Sequence, residues 1–329
     1  MNHIFEELIS IENLLEAWRE FLPSKRMKRD VQEYSHHLID FIVSLHEELK
    51  NGTYRHGSYV HFRISDPKPR DIHKAQVRDR LVHHAIYRVL YPYFSRRFIA
   101  DSYSCQIGKG THRALKRFEA FGRKVSKNNT RTCWVLKCDI RKFFASIDHE
   151  VLLGVLQEHI KDDRTFALLK EVIQSFSWMP TKGLPLGNLT SQLFVNVYMN
   201  EFDQFVKHKL KAKYYIRYAD DFVFLSEDRV SLQSLVPKVR EYLEQTLKLH
   251  LHPKKVSISS LASGVDFLGW VNFTDHRVLR TASKRRMMKR IAANTTDPTF
   301  QSYFGLLKHG NTRKIKEQAL NAYYFHSDH

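Results

Sequence analysis

Apolar and polar positions follow two different periods along this chain. Up to about residue 50 the apolar side chains recur at helical spacing. Leu14, Leu15, Trp18, Phe21 and Leu22 share one face, and Leu38, Ile42 and Leu45 share another. Gly52 supplies a stop. A short strand from Tyr59 to Ile64 leads into Asp66-Pro67-Lys68-Pro69-Arg70, a stiff basic turn, and Arg78 to Tyr93 is again helical, ending at Pro92. Period two appears clearly at Trp134 to Ile140. Trp134, Leu136, Cys138 and Ile140 take one face, while Val135, Lys137 and Asp139 take the other. The first set is expected to pack on helices, which leaves Lys137 and Asp139 facing an open cleft. Ser146 or Asp148 can cap a following helix striped by Val151, Leu152, Val155 and Leu156. A second helix starts near Thr190-Ser191 and buries Phe194, Val197, Tyr198, Phe202 and Phe205. An apolar hairpin from Tyr214 to Leu225, a helix from Leu232 to Leu247 and a strand pair between Lys255 and Val271 follow.

From Asp139 onward the order is therefore strand, helix, helix, hairpin, helix, strand. That order is compatible with an α+β fold built on a split βαβ, ferredoxin-like sheet with helices on one face. The tail after Arg280 reads as a small, basic helical domain.

Composition narrows the partners. The 329 residues are 43% hydrophobic and 27% charged, ordinary for a globular chain long enough for roughly two domains. The formal charge of +18 and the pI near 9.7 are not ordinary. They imply a polyanion, nucleic acid first. Basic residues are spread along the chain without a polybasic tail, which disfavours a membrane surface. No apolar run is long enough to span a bilayer. The N-terminus, with Glu6, Glu7 and Glu12, has no signal-peptide pattern. Cys105, Cys133 and Cys138 form no CxxC pair and are odd in number, so neither a disulfide framework nor a zinc site is expected. They suit a reducing cytosol, and a cytoplasmic location is expected. The histidines, including the His36-His37 and His83-His84 doublets, read as surface or nucleic-acid-facing.

Candidate chemistry lies in Tyr218-Ala219-Asp220-Asp221, two adjacent carboxylates at the hairpin turn, and in Asp139 at the end of the earlier strand. An Asp-Asp pair is most often just a solvated turn. Three carboxylates on neighbouring strand ends, however, could hold two Mg²⁺ ions, with Mn²⁺ as a substitute, for nucleotidyl transfer. Hairpin tips favour Gly or Asn, and this one has neither, so a strained or longer turn is expected.

From about Tyr59 to Val271 the chain resembles the reverse transcriptases of the bacterial, group II-intron-like branch. The resemblance rests on seven stretches in order: Asp66 to Arg70, Arg78 to His83, Gly108-Lys109-Gly110-Thr111-His112, Asp139-Ile140-Arg141-Lys142-Phe143-Phe144, Gly183-Leu184-Pro185-Leu186-Gly187, Tyr218 to Asp221, and Phe267-Leu268-Gly269-Trp270. Most of that family carries Gln before the last glycine of the fifth stretch and Pro after the serine that follows. Leu186 and Gln192 depart from both and look like the enzymes of diversity-generating retroelements, which copy a template RNA with errors at adenines.

The resemblance implies a right-hand polymerase. Residues 1–58 would be an N-terminal helical extension and 59–138 the fingers with part of the palm. Residues 139–275 would be the palm, with a fingers insertion around 160–190, and 276–329 a basic helical thumb. Asp139, Asp220 and Asp221 would be catalytic and would bind the metals, the Ile140 carbonyl adding an oxygen ligand. Lys68 and Arg70 would clasp the triphosphate of the incoming dNTP. Phe144, beside Phe143, would exclude a ribose 2′-hydroxyl, and Leu186 and Gly187 would lie against the nascent base pair. Lys254 or Lys255 would protonate pyrophosphate. Gly108, Lys109, Gly110, Gln192, Tyr218, Gly269 and Trp270 would contact primer or template, and Lys284, Arg285, Arg286 and Lys289 would grip the duplex backbone. The implied partners are template RNA, the cDNA/RNA duplex and a pentameric accessory variability determinant, with no membrane. Alternatives are an anti-phage defence reverse transcriptase, an RNA-dependent RNA polymerase and a non-catalytic RNA-binding module.

Overall fold

Ser10 opens the helix Ile11–Phe21 by accepting a hydrogen bond from the Asn13 amide at 3.1 Å, and Leu14, Ala17, Trp18 and Phe21 form its buried stripe. The computed structural model describes residues 1, 3–65, 69–293 and 296–327. It separates into two units, each assembled from distant stretches of chain. The first comprises Met1–Ala100, Ile140–Lys211 and Lys238–His252, and the second Asp101–Asp139, Ala212–Pro237 and Pro253–His329.

In the first unit, helices Phe5–Ile9, Ile11–Phe21, Arg29–His36 and Leu38–Lys50 account for the N-terminal periodicity. Strands β1 (Val60–Ile64) and β2 (Arg70–Lys74) form an antiparallel hairpin. The connecting Asp66, Pro67 and Lys68 lie outside the described residues, so the expectation for Lys68 does too. The next helix, Val77–Ser95, runs through Pro92 rather than ending there. Asp148, not Ser146, caps the helix His149–His159, its carboxylate accepting from the Val151 amide at 3.2 Å. A further helix, Asp163–Gln174, which period alone did not single out, precedes Leu189–Gln204. Phe205, expected in the core, is only half-buried and stacks on Tyr242 at a ring separation of 4.0 Å. His83 and His149 are interior, against expectation. His83 is buried on the inner face of its helix with Nε2 3.1 Å from that of His56, and burial pulls its pKa well below the usual range. His149 is buried with Nε2 2.7 Å from the Gly183 carbonyl.

The second unit holds the larger sheet: β3 (Trp134–Asp139), β4 (Tyr215–Tyr218), β5 (Asp221–Ser226) and β6 (Ser257–Ser260). Its spatial order is β4-β5-β3-β6 with every pair antiparallel, the ordering of a ferredoxin-like sheet. The expected final strand pair is divided. β6 joins this sheet, while β7 (Val265–Phe267), β8 (Trp270–Asn272) and β9 (Arg277–Leu279) form a second sheet. The alternation in β3 is modified as well. Val135 is fully buried although it shares a face with Lys137 and Asp139. The helix Thr111–Val125 is the reason: its Leu115, Phe118 and Phe121 join Val135, Val223, Leu225, Leu261 and Phe267 in one apolar cluster. That cover stops short of the strand ends. Helices Thr281–Ala292, Asp297–Leu306 and Arg313–Ser327 follow, with Met287, Ile291, Phe300 and Leu307 packed into the same cluster. Among the described residues, no helix is long and apolar enough to cross a membrane.

Candidate functional site

The register of the larger sheet brings the acidic residues together. Asp139, the last residue of β3, stands directly opposite Asp221, the first residue of β5. Side chains of such a pair project to the same face with Cβ atoms roughly 5 Å apart. Asp220 occupies the two-residue turn between Tyr218 and Asp221, beside Ala219. The expected strain is found there: Ala219 has φ 56°, left-handed for a residue with a Cβ. Such a conformation costs on the order of 1 kcal/mol and persists where its surroundings hold it.

Two lysines balance the acids. Lys255 donates to Asp139 Oδ1 at 2.9 Å. Lys137, two residues before Asp139 and on its face, lies 3.5 Å from Asp221 Oδ2 and donates to the Asp266 carbonyl at 2.5 Å. Asp221 Oδ1 is buried and has no hydrogen-bond partner. Burial, reinforced by the Asp139 and Asp220 charges and opposed by Lys137, raises the Asp221 carboxyl to about 7. As the side chains stand, no group of three His, Cys, Asp or Glu among the described residues is gathered closely enough to hold an ion. Lys137 and Lys255 are the cations beside these carboxylates. The donors themselves are carboxylate oxygens, one of them buried and unpartnered, and this hard set fits Mg²⁺. Ile140 is buried and bridges to Leu251.

Other expected residues fall in the same unit. Gly108 and Gly110 adopt φ 71° and 122° before the helix Thr111–Val125. Lys109 between them donates to the Ser102 carbonyl at 2.8 Å. The Tyr218 hydroxyl accepts from Thr111 Oγ1 at 3.2 Å. Leu268 and Gly269, both at positive φ, form the turn between β7 and β8; Gly269 has open space on its Cβ side, and its carbonyl accepts from the Arg280 amide. Trp270 is a core residue, 1% exposed, so its ring presents no binding surface. On the helix Thr281–Ala292, Arg285 and Lys289 are exposed while Lys284 and Arg286 are half-buried. Lys254 is exposed beside Lys255, which makes the contact to Asp139.

In the first unit, β2 and the segment after Gly183 form a second grouping. The His73 amide donates to the Leu186 carbonyl at 3.2 Å, and Asn188 Nδ2 donates to the His73 carbonyl at 2.7 Å. Gly187 has φ 104°, which favours glycine, and a Cβ there would lie 3.0 Å from the Ile72 methyl, which would have to give way. Arg70, at the start of β2, is exposed. Phe143 is buried and Phe144 half-buried, their rings edge to face, and the Phe144 carbonyl accepts from the Leu184 amide at 2.8 Å. Gln192 is half-buried at the start of Leu189–Gln204. Sequence reasoning missed Arg217, fully buried beneath the acidic turn. An arginine inside the apolar run Tyr214-Tyr215-Ile216 was the available signal.

Similarity to known proteins identifies the family. The family described as "Reverse transcriptase (RNA-dependent DNA polymerase)" matches residues 65–271. Protein YkfC of Escherichia coli K12 is 25% identical over 288 residues, covering 75% of this chain and 74% of that one. The group II intron-encoded protein LtrA of Lactococcus lactis subsp. cremoris is 25% identical over 65% of this chain. Nuclear intron maturase 4 of Arabidopsis thaliana is 27% identical over 49% of it. The match spans only 34% of LtrA and 20% of the maturase. Among solved structures, apo telomerase from Candida tropicalis, truncated from its C-terminal domain, superposes with a TM-score of 0.50 at 12% identity. That match covers 74% of this chain and 60% of the telomerase, and it speaks to the fold alone.

Proposed function

The chain belongs to the reverse transcriptase family and carries an RNA-directed DNA polymerase domain, and from that premise we propose that it copies a structured template RNA into cDNA within a diversity-generating retroelement. The observation that carries the polymerase reading is the β3–β5 register, with Asp139 opposite Asp221 and Asp220 at the adjoining turn. In this reading Asp139, Asp220 and Asp221, with the Ile140 carbonyl, hold two Mg²⁺ ions. When bound, the ions supply positive charge against the attacking 3′-oxygen and the departing pyrophosphate.

The chain's own residues do the rest. Lys255 donates a proton to pyrophosphate; its contact with Asp139 favours it over Lys254. Lys68 and Arg70 hold the triphosphate. Phe144, backed by the buried Phe143, excludes a ribose 2′-hydroxyl. Residues 59–138 act as fingers with part of the palm, 139–275 as palm with a fingers insertion around 160–190, and 276–329 as thumb, with 1–58 as an N-terminal extension. Template RNA, the RNA/cDNA duplex, dNTPs and a pentameric accessory protein are the partners. The retroelement assignment rests on Leu186 and Gln192. A branched apolar side chain at 186 cannot make a glutamine's hydrogen bonds to the nascent base pair, so discrimination falls.

Extension of a primer on an RNA template with dNTPs and with NTPs tests both levels. Wild type is expected to use dNTPs, and Asp220→Ala and Asp221→Ala to abolish synthesis. Synthesis surviving either substitution would end the polymerase reading. Misincorporation opposite template adenine is expected to exceed that opposite other bases and to fall in Leu186→Gln; an even error spectrum, unchanged in the variant, removes the retroelement assignment.

A further inference from the structure

Arg217 is fully buried on β4. It pairs with Phe222 across the hairpin, so its side chain lies on the face opposite Asp221. Hiding a guanidinium costs several kcal/mol unless its donors are used, and an apolar strand position would accept a Val or Phe without that cost. Two of its hydrogen bonds bear directly on the acidic turn. Nη2 donates to Ser102 Oγ at 3.0 Å, and Nη1 donates to the Ala219 carbonyl at 3.3 Å. Ala219 is the left-handed residue of the acidic turn. A hydrogen bond to its carbonyl fixes the peptide plane joining Ala219 to Asp220, and with it the directions in which the next two carboxylates leave the chain.

Ser102 is itself held from several sides. Gln106 Nε2 donates to its carbonyl at 3.0 Å and to its Oγ at 2.9 Å, and Lys109 Nζ reaches the same carbonyl at 2.8 Å. The segment also lines the free edge of β4. The Arg217 amide donates to the Asp101 carbonyl at 3.0 Å, and the Tyr103 amide to the Arg217 carbonyl at 2.9 Å. Farther on, Thr111 Oγ1 donates to the Tyr218 hydroxyl. The stretch from Asp101 to Thr111 therefore grips β4 at its backbone, at the Arg217 guanidinium and at the Tyr218 ring, immediately before the turn.

We infer that Arg217 and Ser102 form a positioning pair that holds the Ala219–Asp220 turn in its left-handed conformation, so that Asp220 and Asp221 are presented in one fixed geometry. The inference rests on the polymerase reading for its catalytic consequence. Its conformational content does not depend on that reading.

Single-nucleotide incorporation by the full chain is compared for wild type, Arg217→Lys, Ser102→Ala, Ala219→Gly and the Arg217→Lys/Ala219→Gly double variant. Lysine keeps the charge but cannot reach both acceptors. Arg217→Lys is expected to lower kcat about 30-fold, with KM for dNTP changed less than about threefold, as for a misplaced catalytic group. Ser102→Ala, which leaves the arginine in place, is expected to cost about fivefold. Glycine adopts positive φ freely. Ala219→Gly should therefore restore about tenfold of the loss in the Arg217→Lys background, a coupling that a merely structural role would not produce. Hydrogen exchange of the Asp220 and Asp221 amides should quicken about tenfold in Arg217→Lys while β3 amides stay unchanged. A kcat within twofold of wild type, equal losses in both backgrounds, or unchanged exchange at the turn would each overturn the inference. An inactive wild type with faster turn exchange in the variant would instead remove the polymerase reading and leave the positioning intact.

Discussion

Asp221 is drawn in two directions by its neighbours. Burial raises its carboxyl from 3.8 to about 7, Asp139 and Asp220 push the same way, and only Lys137 opposes them. A carboxyl raised in the fold binds its proton more tightly folded than unfolded. The stability this provides is complete below the ordinary value and is lost as pH climbs through about 7. At pH 8 the ionised, partly buried group thus costs about 4 kcal/mol. Asp221→Asn should raise Tm at pH 8 and leave it nearly unchanged at pH 4. Mg²⁺ should stabilise wild type at pH 8 far more than the variant. Thermal melts across that range decide it, and a variant less stable than wild type at pH 8 would contradict the assignment. The cluster also shows what was legible. That Lys137 and Asp139 share a face followed from period two, whereas Lys255, far along the chain, gave no local sign of reaching Asp139.

Elements show the same division. The Phe267-Leu268-Gly269-Trp270 stretch reads from sequence as a nucleic-acid contact, yet Phe267 and Trp270 are buried anchors and the intervening residues form the turn. Gly310 packs under that tryptophan. Its backbone is extended, so the constraint is space: a Cβ would lie 2.2 Å from the Trp270 ring and 2.9 Å from the Arg277 carbonyl. Gly310→Ala should destabilise by about 3 kcal/mol through overpacking. Guanidinium denaturation should show this as a lower midpoint, and an unchanged midpoint would mean that this packing is absent. Nothing in the sequence pairs residue 310 with residue 270, because their contact depends on how β7–β9 and the C-terminal helices fold on one another. The helix Thr111–Val125 carries a clear apolar stripe, but only packing revealed that it covers the Val135 end of the sheet.

At the scale of the whole molecule, the charge of +18 is the dominant fact. Pairs such as Lys255–Asp139 and Arg117–Asp101 are already netted out of that sum, so the excess belongs to other basic side chains. Arg285 and Lys289 are exposed one turn apart, on the helix whose buried residues are Met287 and Ile291. Contacts from such side chains to phosphates release counterions, so primer-template affinity should fall steeply with salt. Arg285→Glu with Lys289→Glu should reduce the slope of log affinity against log salt by about 2 and weaken binding equally for unrelated sequences. Titrations between low and moderate salt check this. A slope identical to wild type would remove these residues from the interface.

Helix and strand periods, the acidic turn and the basic excess were determined by the sequence alone, because each reflects short-range geometry or a sum over residues. Which strand lies beside which was decided only by the tertiary structure. Pairing β3 with β5 in one register, rather than one residue away, sets Asp139 opposite Asp221 and selects the face that carries both. Long-range pairing also set the burial of Val135 beneath a separate helix and seated the Arg217 guanidinium on Ser102. These outcomes turn on contacts between residues far apart in the chain, and the spacing of neighbours along a segment carries no record of them.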